Sequence, residues 1–105
     1  FSGVVEEVDE GDLIAEALGD KKVIILQNHG ILTTGPSVDI ALWFYTSMER
    51  CCQAQLMADA AGETQLIPHD TAIKTRSFIA NDVAAWASFQ PAFDMICKKE
   101  PDLFD

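Results

Sequence analysis

The stretch from Lys22 to Gly35, KVIILQNHGILTTG, decides how this chain is read. Residues 22–26, KVIIL, are β-branched and almost uniformly apolar. Such a run reads as a short strand buried on both faces. Residues 31–35, ILTTG, continue extended, and Gly35-Pro36 breaks the chain. Between the two strands stand Asn28, His29 and Gly30. A histidine beside a glycine at the end of so apolar a strand has two readings. One is a turn residue. The other is a metal ligand on a rigid platform, with Gly30 letting the backbone approach the site closely. Spacing alone leaves both open. A catalytic zinc site takes three protein ligands and an open position. The only other histidine, His69, lies beyond a long helix, and nothing near His29 supplies Cys, Asp or Glu at ligand spacing.

Outward from this stretch the pattern is helical. Before it, VDEGDLIAEALGD places Leu13, Ile14, Ala17 and Leu18 on one helical face. Asp9 or Asp12 is a candidate cap, and Gly19 supplies the stop. After it, a long helix begins at Ser37, a candidate N-cap, with Asp39 near the positive end of the helix dipole. Val38, Ala41, Leu42, Tyr45, Met48, Cys52, Gln55 and Leu56 trace one face. Asp39, Thr46, Arg50 and Gln53 trace another, and Trp43 falls on that more polar side, with Phe44 roughly opposite. Apolar residues on so much of the circumference predict a helix buried more than a surface helix. Gly62 ends it. ETQLIPHD reads as a linker with a Pro stop. Asp70 is a candidate cap for a second helix, TAIKTRSFIA. Asn81 or Asp82 is a candidate cap for a third, VAAWASFQPAFDMICKK, which Pro91 must kink or split. EPDLFD reads as an irregular end.

Composition narrows the function classes. The chain has 105 residues, one domain or part of one, and 49% are hydrophobic, enough to fill a core. The net charge is −10, with seven Lys and Arg against seventeen Asp and Glu. Binding to a phosphate backbone depends on cations, so nucleic acid is a poor partner. No apolar run reaches the roughly 18–20 residues that span a bilayer, which also argues against a membrane role. Three cysteines, two of them adjacent in a helical pattern, do not form a disulfide framework. Reduced thiols in a cytoplasmic protein fit better. The chain opens on Phe1 in mid-pattern, and a lone pair of strands is marginal in water. Both features read as a fragment or a processed product.

Several residues have bland readings. Cys51 and Cys52 point about 100° apart on a helix, so they do not easily grip one metal and read as packing residues. Trp43, Phe44, Tyr45, Trp86 and Phe89 sit at helical spacing and read as core or subunit packing. Glu6, Glu7, Asp9, Glu10 and Asp12 read as a solvated face. His69, beside Pro68, reads as a solvated loop residue.

The stretch VIILQNHGILTTGPSVDIALWFYTSMERCCQAQLMADAAG resembles the class II aldolase/adducin family. An apolar strand runs into Asn28-His29-Gly30. A short strand then ends at Gly35, and a long helix follows with Ala41 and Glu49-Arg50. The resemblance covers Phe1 to about Gly62 and extends more loosely to AAWASFQPAFD. It implies an α/β chain of the three-layer αβα kind. Residues 1–105 would form the C-terminal portion of a single such domain, with two short strands and three or four helices, the N-terminal portion being absent.

The resemblance also implies chemistry. The family includes sugar-phosphate aldolases, epimerases and dehydratases, and the non-enzymatic adducin head. His29 matches the family's third zinc ligand. The other two histidines and a catalytic glutamate would lie upstream and are not in this sequence. Asn28 and Gly30 would be turn residues or outer supports of that site. Glu49 reads as structural. The implied activity of a parent polypeptide is zinc-dependent cleavage of a ketose 1-phosphate, such as L-fuculose 1-phosphate, to dihydroxyacetone phosphate and an aldehyde. The zinc would polarise the ketose carbonyl and a carboxylate would move the proton. On the same scaffold the rivals are an epimerase, a dehydratase, a decarboxylase or a metal-free adducin-like assembly module. The implied partners are a small sugar phosphate and further copies of the chain in a homotetramer. Trp43 is the residue proposed for the subunit interface. The 105-residue segment by itself is expected to be inactive.

Overall fold

The computed structural model describes residues 8–104. Its elements run α1 (Val8–Leu18), β1 (Val23–Leu26), β2 (Gly30–Thr33), α2 (Val38–Ala61), α3 (His69–Ile79), α4 (Asp82–Lys99) and a short 3-10 turn, Pro101–Phe104. The mixed α/β composition, two strands and four α-helices, is what the sequence leads one to expect. Glu6 and Glu7 of the acidic run lie outside the described residues.

The two strands form an antiparallel hairpin with Leu26 opposite Gly30 and Val23 opposite Thr33. Thr34 N–H donates to the Lys22 carbonyl at 2.9 Å and extends the ladder by one step. β1 is not buried on both faces. Val23, Ile24 and Leu26 are half-buried and Ile25 is 58% exposed. The apolar run has β2 beside it and no other strand among the described residues, so its outer edge and one face stay open.

Helix α2 is docked onto β2 at its first turn. Thr33 Oγ1 donates to the Ala41 carbonyl at 2.9 Å. Gly35 makes this docking possible: a Cβ there would stand 2.9 Å from Ala41 N and 3.0 Å from Ile40 Cγ2. Ser37 is the N-cap residue, but its hydroxyl turns to the Asp39 carboxylate and makes no cap bond to the helix backbone. That close approach fixes which face of α2 packs. Ile40 and Phe44 are buried, and Ala85 of α4 is fully so. Val23, Trp43 and Ala80 lie against them.

The packing face of α2 is therefore Ile40, Trp43 and Phe44, not the Val38, Leu42 and Tyr45 face expected from the pattern. Val38 is 83% exposed. Apolar residues surround the first three turns, so periodicity could not choose between faces. From Glu49 onward α2 is exposed, apart from the half-buried Cys52. No described element packs along that half.

The remaining elements correct several boundaries. α1 already begins at Val8, so Asp9 and Asp12 lie inside it, while Gly19 closes it at φ 52°. α3 starts at His69 after Pro68, so Asp70 is its second residue and no side chain caps it. A proline just before a helix sets the entry without needing such a cap. Asn81 does cap α4, its Oδ1 accepting from Ala84 N–H at 2.9 Å. Pro91 does not split α4. The ring removes only the bond to the Ala87 carbonyl, and both residues are exposed. Gln90 Nε2 adds a bond to the Trp86 carbonyl at 3.1 Å one turn away. The C-terminal residues form an ordered 3-10 turn, held by Phe104 edge-on to Phe93 at 6.3 Å.

The chain is long for its size. Its radius of gyration is 16.6 Å, against about 13 Å for a compact domain of this length. Leu56, Met57, Leu66, Ile67, Phe78 and Trp86 are all more than half exposed. No helix among the described residues is long and apolar enough to cross a membrane.

Candidate functional site

His29 sits at the tip of the β1–β2 hairpin. Its backbone N–H donates to the Leu26 carbonyl at 3.1 Å, closing a four-residue turn over residues 26–29. The turn requires a left-handed residue at its third position, and Asn28 takes it with φ 59°. Positive φ at that position alone is the type II pattern, which accepts Gly or Asn. The turn therefore explains Asn28 by backbone geometry.

The same geometry places the histidine at the exposed end of the hairpin. Antiparallel pairing fixes the strands on either side, and α2 clamps β2 from below. The tip residues Gln27, Asn28, His29 and Gly30 are all exposed. A Cβ on Gly30 would meet nothing within 4 Å. No close backbone approach thus requires glycine there among the described residues.

One imidazole is not a metal site. Among the described residues no three His, Cys, Asp or Glu side chains converge to hold a metal ion. His69 belongs to the first turn of α3, not to a loop, and is exposed. Glu49 and Arg50 are exposed and no ion pair joins them. Cys51, Cys52 and Cys97 are free thiols. The described residues do not bring together the three donors that zinc needs and do not by themselves fit it.

Trp43 is half-buried against the core and borders a hollow of about 430 Å³ with Phe44, Ser47, Phe78, Ile79, Ala80, Ala84 and Ser88. A second hollow, about 500 Å³, lies between the start of α2 and α4, lined by Val38, Leu42, Trp86, Phe89, Phe93 and Ile96 among others. Neither includes His29. The tip and the apolar hollows are separate features.

Comparison with known proteins places this architecture. Residues 3–56, from before the described residues to near the end of α2, match the family model for the Class II Aldolase and Adducin N-terminal domain. The structure is similar to an L-fuculose 1-phosphate aldolase from Glaciozyma antarctica PI12, with a TM-score of 0.85 and 40% identity. The match covers 91% of this chain and 39% of that one. Decarboxylase NovR of Streptomyces niveus is 39% identical over 103 residues, 98% of this chain and 38% of the relative. Alpha-adducin of Mus musculus is 34% identical over 70 residues, 64% of this chain and 10% of the relative. The chain thus spans about two fifths of the length of these two enzyme relatives. A hairpin with His29 at its tip, docked through Gly35 onto a long helix, falls within the matched segment, and the chain belongs to the class II aldolase/adducin family.

Proposed function

We propose that this chain is part of a metal-dependent lyase in which His29 supplies one imidazole to a zinc ion. The substrate class is a ketose 1-phosphate such as L-fuculose 1-phosphate, cleaved to dihydroxyacetone phosphate and an aldehyde. The observation that carries this reading is the likeness to a fuculose phosphate aldolase at 40% identity over nearly all of the chain. The hairpin supports it physically. It presents one imidazole on a short, hydrogen-bonded turn, so the backbone that carries the ligand is set before any metal arrives. The remaining donors and the proton-transferring carboxylate must come from polypeptide outside the described residues.

The same reading treats residues 1–105 as the C-terminal portion of one domain, in a cytoplasmic homotetramer. Free thiols at Cys51, Cys52 and Cys97 fit a reducing compartment. The large exposed apolar residues along α2, α3 and α4 fit burial against further protein. Trp43, beside an open apolar hollow, is the residue proposed for a subunit contact.

A second reading has a specific observation behind it. The likeness to Decarboxylase NovR, at 39% identity over 98% of this chain, favours a decarboxylase on the same scaffold. The likeness to alpha-adducin supports a metal-free assembly role less well, since it covers only 64% of the chain. The test uses the longest polypeptide that carries this sequence. Formation of dihydroxyacetone phosphate from L-fuculose 1-phosphate, abolished by a chelator and restored by zinc, supports the aldolase. Release of carbon dioxide from carboxylated substrates without such cleavage supports the decarboxylase. A stable oligomer with neither activity and no metal supports the adducin-like role.

A further inference from the structure

Cations are scarce in this chain, seven against seventeen carboxylates. Three of the seven, Lys21, Lys22 and Arg76, line one hollow of about 280 Å³, with Asp20, Val23, Phe44 and Ala80 completing its wall. The hollow lies between the residues that lead into β1 and the end of α3, with Phe44 of α2 in its wall. Lys21 and Arg76 are far apart in sequence, so only the fold brings them together.

The three cations are not equally matched. Lys21 pairs with Asp20, and Lys22 pairs with Asp82 at the start of α4. The Lys22 ammonium also lies 4.7 Å from the centroid of the Phe44 ring. These contacts orient the Lys22 head without leaving it free to swing. Arg76 has no carboxylate within 4.0 Å among the described residues. The hollow thus holds one cation more than its carboxylates match, in a chain that is strongly acidic as a whole.

We propose that this hollow binds a small phosphate-bearing anion, with the Arg76 guanidinium as its principal contact and Lys21 and Lys22 at its flanks. The planar fork of an arginine fits two oxygens of a phosphate at once. Val23, Phe44 and Ala80 supply an apolar wall beside the cations. Four strand steps separate Lys22 from Leu26, roughly 13 Å along β1. The hollow is therefore at the opposite end of the hairpin from His29 and is distinct from the site proposed for the metal. Its occupant is a second ligand, and its test does not depend on the aldolase reading.

The experiment is a titration of the longest polypeptide carrying this sequence with inorganic phosphate, then with glycerol phosphate, at ionic strength held constant with chloride. Backbone amide chemical shifts report the position of binding. Saturable shifts at residues 20–23 and 76–80 are expected, with a dissociation constant on the order of millimolar. Arg76→Gln is expected to weaken binding about tenfold, the loss of one charge-assisted contact. Lys21→Gln, at an exposed position, is expected to weaken it less, and Arg50→Gln not at all. Tighter binding of the monoester identifies a small phosphoester as the ligand; equal binding identifies the free anion. Shifts that never saturate, or equal effects of Arg76→Gln and Arg50→Gln, would overturn the proposal.

Discussion

Replacing Phe44 with alanine tests the packing scheme at its centre. Phe44 is 8% exposed and joins β1, α2 and α4 through Val23, Ile40 and Ala85. A buried Phe→Ala change costs about 3–5 kcal/mol, the larger values coming from sites that cannot collapse. Here Phe44 borders two open hollows, so water or neighbouring side chains can enter the space. The low end, about 3 kcal/mol, is the expected transfer and cavity cost. Loss of the Lys22 contact over the ring adds about 0.5–1 kcal/mol at a partly exposed site. Only three described residues are buried, so total stability should lie near the low end of the usual range, about 5 kcal/mol. The variant would keep about 1–2 kcal/mol of it. With a urea slope of about 1–1.5 kcal/mol per molar, the midpoint should fall by roughly 2–4 M. Phe44→Leu keeps most of the apolar volume and should cost only about 1 kcal/mol. Urea unfolding followed by helical circular dichroism reads both. A Phe44→Ala midpoint within about 0.5 M of the parent, at unchanged slope, would refute the assignment of Phe44 to the centre of the core.

Two further substitutions test the elements that hold the hairpin. Gly35→Ala forces a methyl against Ala41 N and Ile40; it should destabilise by about 1–3 kcal/mol, seen in the same urea assay, and parental stability would contradict the close docking of α2. Asn28→Val places a β-branched residue at φ 59° and should cost about 1–2 kcal/mol, whereas Asn28→Gly should be neutral or slightly stabilising; equal stability of the two would contradict the left-handed turn.

The legible parts of the fold were those with local causes. Gly19 and Gly62 mark the ends of α1 and α2, and Asn81 marks the start of α4, because caps and stops act within one helical turn. The strand pair was legible from KVIIL and ILTTG for the same reason. What resisted was everything set at a distance. The packing face of α2 depends on Gly35 fitting beneath Ile40, which no periodicity in α2 reports. The exposure of Ile25 depends on what lies beside β1, not on Ile25. Asp70 lost its capping role because α3 starts two residues earlier than expected, at His69, after Pro68. The basic hollow needed the tertiary fold to bring Arg76 of α3 to the same hollow as Lys21 and Lys22.

The candidate site was legible in one residue. Asn28-His29-Gly30 stands out in sequence because a polar triplet interrupts two apolar runs, and the structure explains its turn. The chemistry beyond that triplet comes from family likeness, since no three His, Cys, Asp or Glu side chains converge among the described residues.

Metal content per chain of the longest polypeptide carrying this sequence, by elemental analysis after gel filtration, tests the central claim most directly. The account predicts about one zinc per chain, three protein donors and one open position making a catalytic site. It also predicts loss of that zinc in His29→Ala with no loss of folded oligomer, because His29 lies exposed at the hairpin tip. A folded oligomer that carries no metal, or one that keeps its zinc without His29, would contradict it.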